Sequence, residues 1–177
     1  PIYTNLKTTG QYIYASDINI EEKSANITAE TEVKNESGDK VKLQYEVQIE
    51  DLEGKLVKKI NGGNIEILPG ETKILSTSEK IENLNFWSWG YGYLYTVHTI
   101  LKQDDKIIDK VSTRTGFRKT EFANGLIKLN DKVIMVKGYA QRTSNEWPTV
   151  GMSVPPHLSD YSNKLMVESN GNLVRWM

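Results

Sequence analysis

The chain has 177 residues, a formal net charge of −1 and 25% charged residues of both signs, a mixed surface that argues against a polyanionic partner such as nucleic acid. It contains no cysteine, which excludes disulfide frameworks and thiolate metal centres. No apolar run approaches the ~18 residues of a membrane span, and no signal peptide is visible; a start at Pro1 reads as that of a processed or excised chain.

The predicted elements of the first two-thirds are strands. "QYIYASDINI", from Gln11, is a leading strand, and "ANITAETEV" alternates through Ile27, Ala29, Thr31 and Val33. The clearest alternation is "KVKLQYEVQIED": Val41, Leu43, Tyr45, Val47 and Ile49 point one way, and Lys42, Gln44, Glu46, Gln48 and Glu50 the other. Period two with one wet face is the mark of a half-buried strand. "ETKILSTSEKI" is a further strand, and "YLYTVHTILK" with "KIIDKVSTRTGF" makes a hairpin around Gln103 to Lys106. Turn chemistry separates the runs at Glu36-Ser37-Gly38-Asp39, Glu53-Gly54, Asn61-Gly62-Gly63 and Leu68-Pro69-Gly70-Glu71. About seven short strands with regular turn signals predict an all-β, immunoglobulin-like antiparallel sandwich over residues 11–118. The cysteine pair of antibody domains is missing, so this rests on pattern alone.

The composition shifts after "GFRK". "LIKLNDKVIMVKG" reads as a hairpin with an Asn130-Asp131 tip, followed by an apolar strand from Val133 to Val136. A loop rich in Ser, Asn, Pro and Gly follows. "HLSDYSNKLMVESNG" has helical spacing at Leu158, Tyr161, Leu165 and Met166, with Gly171 as its stop. "NLVRWM" is then a buried strand. Strand, loop, helix, strand is a βαβ unit, and one such unit cannot bury its own faces.

Four stretches together resemble glycoside hydrolase family 2, the β-galactosidase and β-glucuronidase group. "FWSWGYGYLYTVHTIL" is similar to the family's Trp…Leu-Tyr entry to the penultimate sandwich strand, through Trp87, Leu94 and Tyr95, with Gly92 near the usual proline position. "GFRK" resembles the motif that closes the sandwich. "LIKLNDKVIMVKGYAQR" resembles the start of barrel strand one, and "KLMVESNGNLVRWM" resembles barrel helix one running into strand two. The resemblance implies three parts: residues 1–10 as a linker from a preceding sugar-binding domain, 11–118 as the sandwich, and 119–177 as the incomplete start of a (β/α)8 catalytic barrel. It also implies a retaining glycosidase acting on O-glycosyl bonds as the parent enzyme, exported to the periplasm or beyond.

Retaining glycosidases need two carboxyl groups about 5.5 Å apart, and the family carries both on later barrel strands. The chain by itself is therefore expected to be inactive, with no catalytic residue of its own. Asn-Glu pairs occur at Asn35-Glu36 and Asn145-Glu146, but both read as solvated loops. The resemblance assigns substrate-binding roles in the parent barrel to Arg175 and Arg142. Thr143 stands where galactosidases of the family have a substrate-contacting histidine, and Gln141 where they have asparagine, which turns the expectation toward a uronic or otherwise modified sugar, or a polysaccharide. Trp147 and Trp176 follow barrel strands and are candidates for lining a subsite. The expected partners are the carbohydrate substrate, the missing barrel and sugar-binding domains, and a second copy meeting the exposed barrel segment, with neither nucleic acid nor membrane. No cofactor is expected, and His98 and His157 are too far apart for a metal site.

The cluster Trp87, Trp89, Tyr91, Tyr93 and Tyr95 suits a sandwich-core anchor with a tyrosine near a corner; a stand-alone carbohydrate-binding or adhesion module is the alternative, and a small atypical enzyme a third. His98 reads as a half-buried structural histidine and His157 as a loop or first-turn residue. Asn26 and Asn35 head glycosylation sequons, Asn26 on a strand.

Overall fold

The computed structural model describes residues 1–4, 10–141 and 155–176. The chain divides into two compact units, Pro1–Lys119 and Thr120–Met177. Among the described residues the first unit holds seven strands: β1 (Gln11–Asn19), β2 (Ser24–Lys34), β3 (Val41–Glu50), β4 (Leu56–Ile67), β5 (Thr72–Ile81), β6 (Tyr95–Gln103) and β7 (Lys106–Thr115). They form two antiparallel sheets, ordered β1-β2-β5 and β4-β3-β6-β7, whose inner faces share one core. This is a β-sandwich.

Alternation explains which side each strand buries. On β3, Leu43, Tyr45, Val47 and Ile49 are buried, and on β2 so are Ile27, Ala29, Thr31 and Val33. Across them lie Leu75 and Ile81 of β5 and Tyr95, Val97 and Leu101 of β6. Each such aliphatic side chain stabilises the fold by roughly 1.5–3 kcal/mol relative to exposure. Tyr45 ties the sheets together: its hydroxyl donates to the Ala29 carbonyl oxygen at 3.0 Å, and burial pushes its pKa up to about 12.

One expected turn is a strand. Asn61-Gly62-Gly63 lies inside β4, where Tyr45 pairs with Gly63 and Glu46 with Asn61, leaving Gly62 as the extra residue of a β-bulge. A Cβ on Gly62 would fall on the Tyr45 ring, and Gly63 adopts φ +86°, which favours glycine. The bulge makes room for a buried tyrosine. The turn signals at Gly54 and Gly70 are turns, with φ +78° and +73°.

The second unit opens with a three-stranded meander of β8 (Thr120–Ala123), β9 (Leu126–Leu129) and β10 (Lys132–Val133). Both of its turns have two residues at positive φ, Asn124-Gly125 (53° and 72°) and Asn130-Asp131 (49° and 64°), the type I′ signature that matches strand twist. The expected apolar strand from Val133 to Val136 is displaced. Val133 ends β10, Met135 is 78% exposed, and the next strand is β11 (Gly138–Gln141). The side chain of Asn172 explains the irregular stretch: it accepts from the Lys137 N–H at 2.8 Å and donates to the Met135 carbonyl at 2.9 Å. These bonds take the place of a ladder.

After α1 (Pro156–Glu168) comes β12 (Leu173–Trp176), paired parallel to β11. The left-handed residue that stops the helix lies one position before the expected glycine. Asn170 takes the left-handed conformation, φ 58°; its N–H bonds the Val167 carbonyl, and the Gly171 N–H bonds the Met166 carbonyl. That pair of bonds is a Schellman cap. Gly171 is needed for space, because a Cβ there would press on Met166.

Candidate functional site

In the second unit the parallel pairing sets Gly138 opposite Leu173, Tyr139 opposite Val174, Ala140 opposite Arg175 and Gln141 opposite Trp176. The carboxyl ends of β11 and β12 therefore lie side by side, the end at which α/β folds assemble their sites. A Cβ at Gly138 would strike the Leu173 backbone, so glycine permits the close strand approach. Arg175 is exposed, and its permanently charged fork of donors is suited to carboxylate or hydroxyl recognition. Trp176 is the last residue of β12. Arg142, Thr143, Trp147 and the Asn145-Glu146 pair lie outside the described residues, so of the expected sugar-binding set Arg175 and Trp176 alone are located, as neighbours on one strand. Neither β11 nor β12 carries a carboxylate.

A cleft of about 420 Å3 runs between α1 and β11, lined by Tyr139, Ser162, Leu165 and Met166 among others. It includes Gly171, on the amino-terminal approach to β12, and so lies along the helix-facing side rather than at the carboxyl ends. No residue of α1 is buried; Tyr161, Leu165 and Val167 are 50%, 44% and 60% exposed. The expectation of a buried final strand also changes, since Leu173 is half exposed: a two-stranded sheet offers only one neighbour to cover it.

In the sandwich the aromatic cluster is a ladder of rings. Phe117 lies 5.5 Å from Tyr95, Tyr95 5.1 Å from Tyr93, and Tyr93 5.8 Å from Tyr91, centroid to centroid. Tyr95 is buried, its hydroxyl accepts from the Asn85 N–H at 2.7 Å, and burial raises its pKa. This is the core anchor and corner tyrosine of the sequence reading. Arg118 stacks 4.9 Å from the Trp87 ring centre. Trp89 and Tyr91 are exposed at the tip of the loop.

The Asn35-Glu36 pair is structural. Asn35 is buried and donates to the carbonyls of Asp39 and Ile67 while accepting from the Ser37 N–H and hydroxyl. Glu36 is exposed and accepts from the Tyr3 hydroxyl. Asn26 donates to Asp17.

The outer face of the β4-β3-β6-β7 sheet holds groups that the alternation assigned to a wet side and the structure covers. Glu46 is 8% exposed and accepts from Lys59 and Lys102 at 2.8 Å each and from Gln48 at 2.7 Å. Burial alone would raise its pKa; the bonds from Lys102, Lys59 and Gln48 outweigh it and hold the pKa near about 2. His98, also 8% exposed, contacts the Ser112 hydroxyl through Nδ1 at 2.7 Å and Glu50 through Nε2 at 3.1 Å. The signal was present in the sequence, because period two puts Glu46, Glu50, His98 and Ser112 on one face, but pattern alone does not reveal that long side chains close over it. Among the described residues no cluster of three acidic, histidine or cysteine side chains could hold a metal, and no helix is long and apolar enough to cross a membrane.

Residues 11–118 match the family model for glycosyl hydrolases family 2, and the chain belongs to that family. It is 36% identical over 99% of its length to a β-glucuronidase of Formosa agariphila, of which it spans 18%. It is 22% identical to a β-galactosidase of Alteromonas mediterranea over 86% of its length, 15% of that protein. The structure of a β-glucuronidase from glycoside hydrolase family 2 superposes with a TM-score of 0.88 at 35% identity, over 97% of this chain and 18% of that one. A Bacteroides uniformis β-glucuronidase shares the fold with a TM-score of 0.85 at 22% identity, over 98% and 21% of the respective chains.

Proposed function

We propose that this sequence is a section of a longer retaining glycosidase: a spacer sandwich over residues 11–118, preceded by a linker and followed from residue 119 by the opening strands of a (β/α)8 barrel. The observation that carries the reading is the match to a β-glucuronidase along 99% of the chain but only 18% of the relative. The parallel β11–β12 pair joined by α1 supports the barrel assignment, because parallel strands linked through a helix are the repeating unit of that architecture. The two carboxyl groups then belong to later barrel strands, and Arg175 and Arg142 help to shape the sugar pocket from strands two and one, with Trp176 and Trp147 lining a subsite. Thr143 in place of a histidine removes a long-reaching donor that a neutral galactoside would use; a uronoside, whose carboxylate suits an arginine fork, is the preferred substrate class. Export is part of the same reading and rests on the resemblance alone.

The test compares the 177-residue chain with a protein extended through the remainder of its reading frame, on 4-nitrophenyl β-D-glucuronide and β-D-galactoside. The extended protein hydrolyses the glucuronide faster, and the short chain hydrolyses neither. Turnover by the short chain that disappears in Glu146→Gln would overturn the assignment of the carboxylates, and preference for the galactoside would overturn the substrate class.

A further inference from the structure

We propose that Ser112, His98 and Glu50 form a nucleophilic serine site on the outer face of the four-stranded sheet, reactive toward activated acyl and phosphonyl electrophiles. The site lies wholly within the sandwich and does not depend on the glycosidase assignment.

Register builds it. His98 of β6 pairs directly with Ser112 of β7 and with Gln48 of β3, so all three project from the same face. Gln48 is turned away, donating to Glu46, and Glu50, one alternation further along β3, takes the position beside the imidazole. A carboxylate only accepts hydrogen bonds. The 3.1 Å contact from Glu50 therefore holds the hydrogen on His98 Nε2 and leaves the Nδ1 lone pair to accept from the Ser112 hydroxyl at 2.7 Å. Base, nucleophile and orienting acid have the roles that define a serine triad, with the two ring nitrogens exchanged relative to the usual arrangement. His98 is buried, which fixes its orientation, whereas Ser112 is exposed and open to an incoming electrophile.

The surroundings favour developing negative charge. Lys110 and Arg114 flank Ser112 two residues away on either side of β7 and are exposed on the same face. β7 is also the outermost strand of its sheet, so alternate N–H groups along it point away from β6. The charged groups sharing the face with His98 are Lys42, Glu46 and Glu50 on β3, Lys59 and Glu66 on β4, Lys102 on β6, and Lys110 and Arg114 on β7. Lys59 and Lys102 are committed to Glu46, so Glu50 is the carboxylate that acts on the imidazole.

In the reaction Ser112 Oγ bonds to the electrophilic carbon or phosphorus while its proton passes to His98 Nδ1. With an aryl ester, phenolate leaves and an acyl-Ser112 remains until water hydrolyses it; with a fluorophosphonate, fluoride leaves and the adduct persists. Ser112 and His98 touch the reacting atoms, and Glu50 is a positioning residue.

The experiment treats the 177-residue chain with an alkyl fluorophosphonate and maps the adduct by peptide mass. The expected result is one phosphonyl group on Ser112, no adduct in Ser112→Ala, and labelling slowed by about 100-fold in His98→Gln, in line with loss of a general base. Labelling also slows in Glu50→Ala and is restored in part by Glu50→Asp, the rescue expected of a carboxylate that orients the imidazole. Circular dichroism confirms that each variant remains folded; Ser112→Ala removes the hydroxyl that meets His98 Nδ1 but leaves the imidazole and its contact with Glu50 in place, and serves as the control if His98→Gln unfolds. Absence of an adduct on Ser112, or labelling whose rate is indifferent to His98→Gln and to Glu50→Ala, overturns the proposal.

Discussion

Lowering the pH should cost this sandwich one identifiable contribution, from Glu46. Its carboxylate is 10% exposed and accepts from Lys102 and Lys59, whose side chains are 18% and 51% exposed. Its pKa falls from an ordinary 4.5 to about 2 despite burial, and a pH unit of displacement corresponds to about 1.4 kcal/mol. The product is about 3 kcal/mol; allowing for the solvent-screened Lys59, roughly 2–3 kcal/mol is the expected contribution. A carboxyl whose folded pKa is depressed stabilises the fold above its unfolded pKa and loses that effect as pH falls toward the folded value. For Glu46 the window runs from 4.5 down to about 2. Glu46→Gln keeps the shape but leaves two ammonium groups without their carboxylate. Urea denaturation of both chains, followed by tryptophan fluorescence, should show the parent more stable by about 2–3 kcal/mol at pH 7, with the gap closing toward pH 2. A difference that stays constant across that interval would refute the reasoning, because it would mean that the charge on Glu46 contributes nothing.

Other outcomes follow from the backbone. Gly62→Ala should destabilise by about 1–3 kcal/mol through overpacking against Tyr45, and Gly63→Ala by about 1 kcal/mol through its left-handed φ; in a Tyr45→Ala background, measured by the same denaturation, only the first penalty should shrink. Tyr95→Phe should cost about 1 kcal/mol, read as a lowered midpoint, because the Asn85 N–H loses its acceptor. Gly171→Ala should shorten hydrogen-exchange protection at the carboxyl end of α1, where Met166 would have to move. The chain in isolation should associate in light scattering, since β11 and β12 present edges and α1 exposes Leu165 and Val167; a strictly monomeric species at high concentration would contradict this.

How much of this was legible depends on whether one face of an element is committed to a core. The inward faces of β2 and β3 could be read from alternation, because a shared interior enforces it, and the glycines at 54 and 70 sit at turns whose geometry requires them. β4 was hidden by its own sequence: Asn61-Gly62-Gly63 has turn chemistry, and only the ring of Tyr45 across the ladder makes it a bulge. The run from Val133 to Val136 looked like a strand because it is apolar, yet its backbone is held by a side chain, Asn172, from 35 or more residues away. At the proposed sugar site, Arg175 and Trp176 were named through resemblance alone, while the parallel pairing that aligns the two strand ends required coordinates. The Ser112–His98–Glu50 constellation needed register across three strands, which no single segment encodes.

Asn35 has a practical consequence for making this protein. Its amide hydrogens are both committed to main-chain carbonyls inside the sandwich, although it heads an acceptor tripeptide for oligosaccharide transfer. A secretory pathway of the eukaryotic type could attach sugar there only before the strands close, and the attached chain would then prevent them from closing. Yield from such a host should recover when Ser37 is replaced by alanine, whereas a bacterial cytoplasm should need no such change.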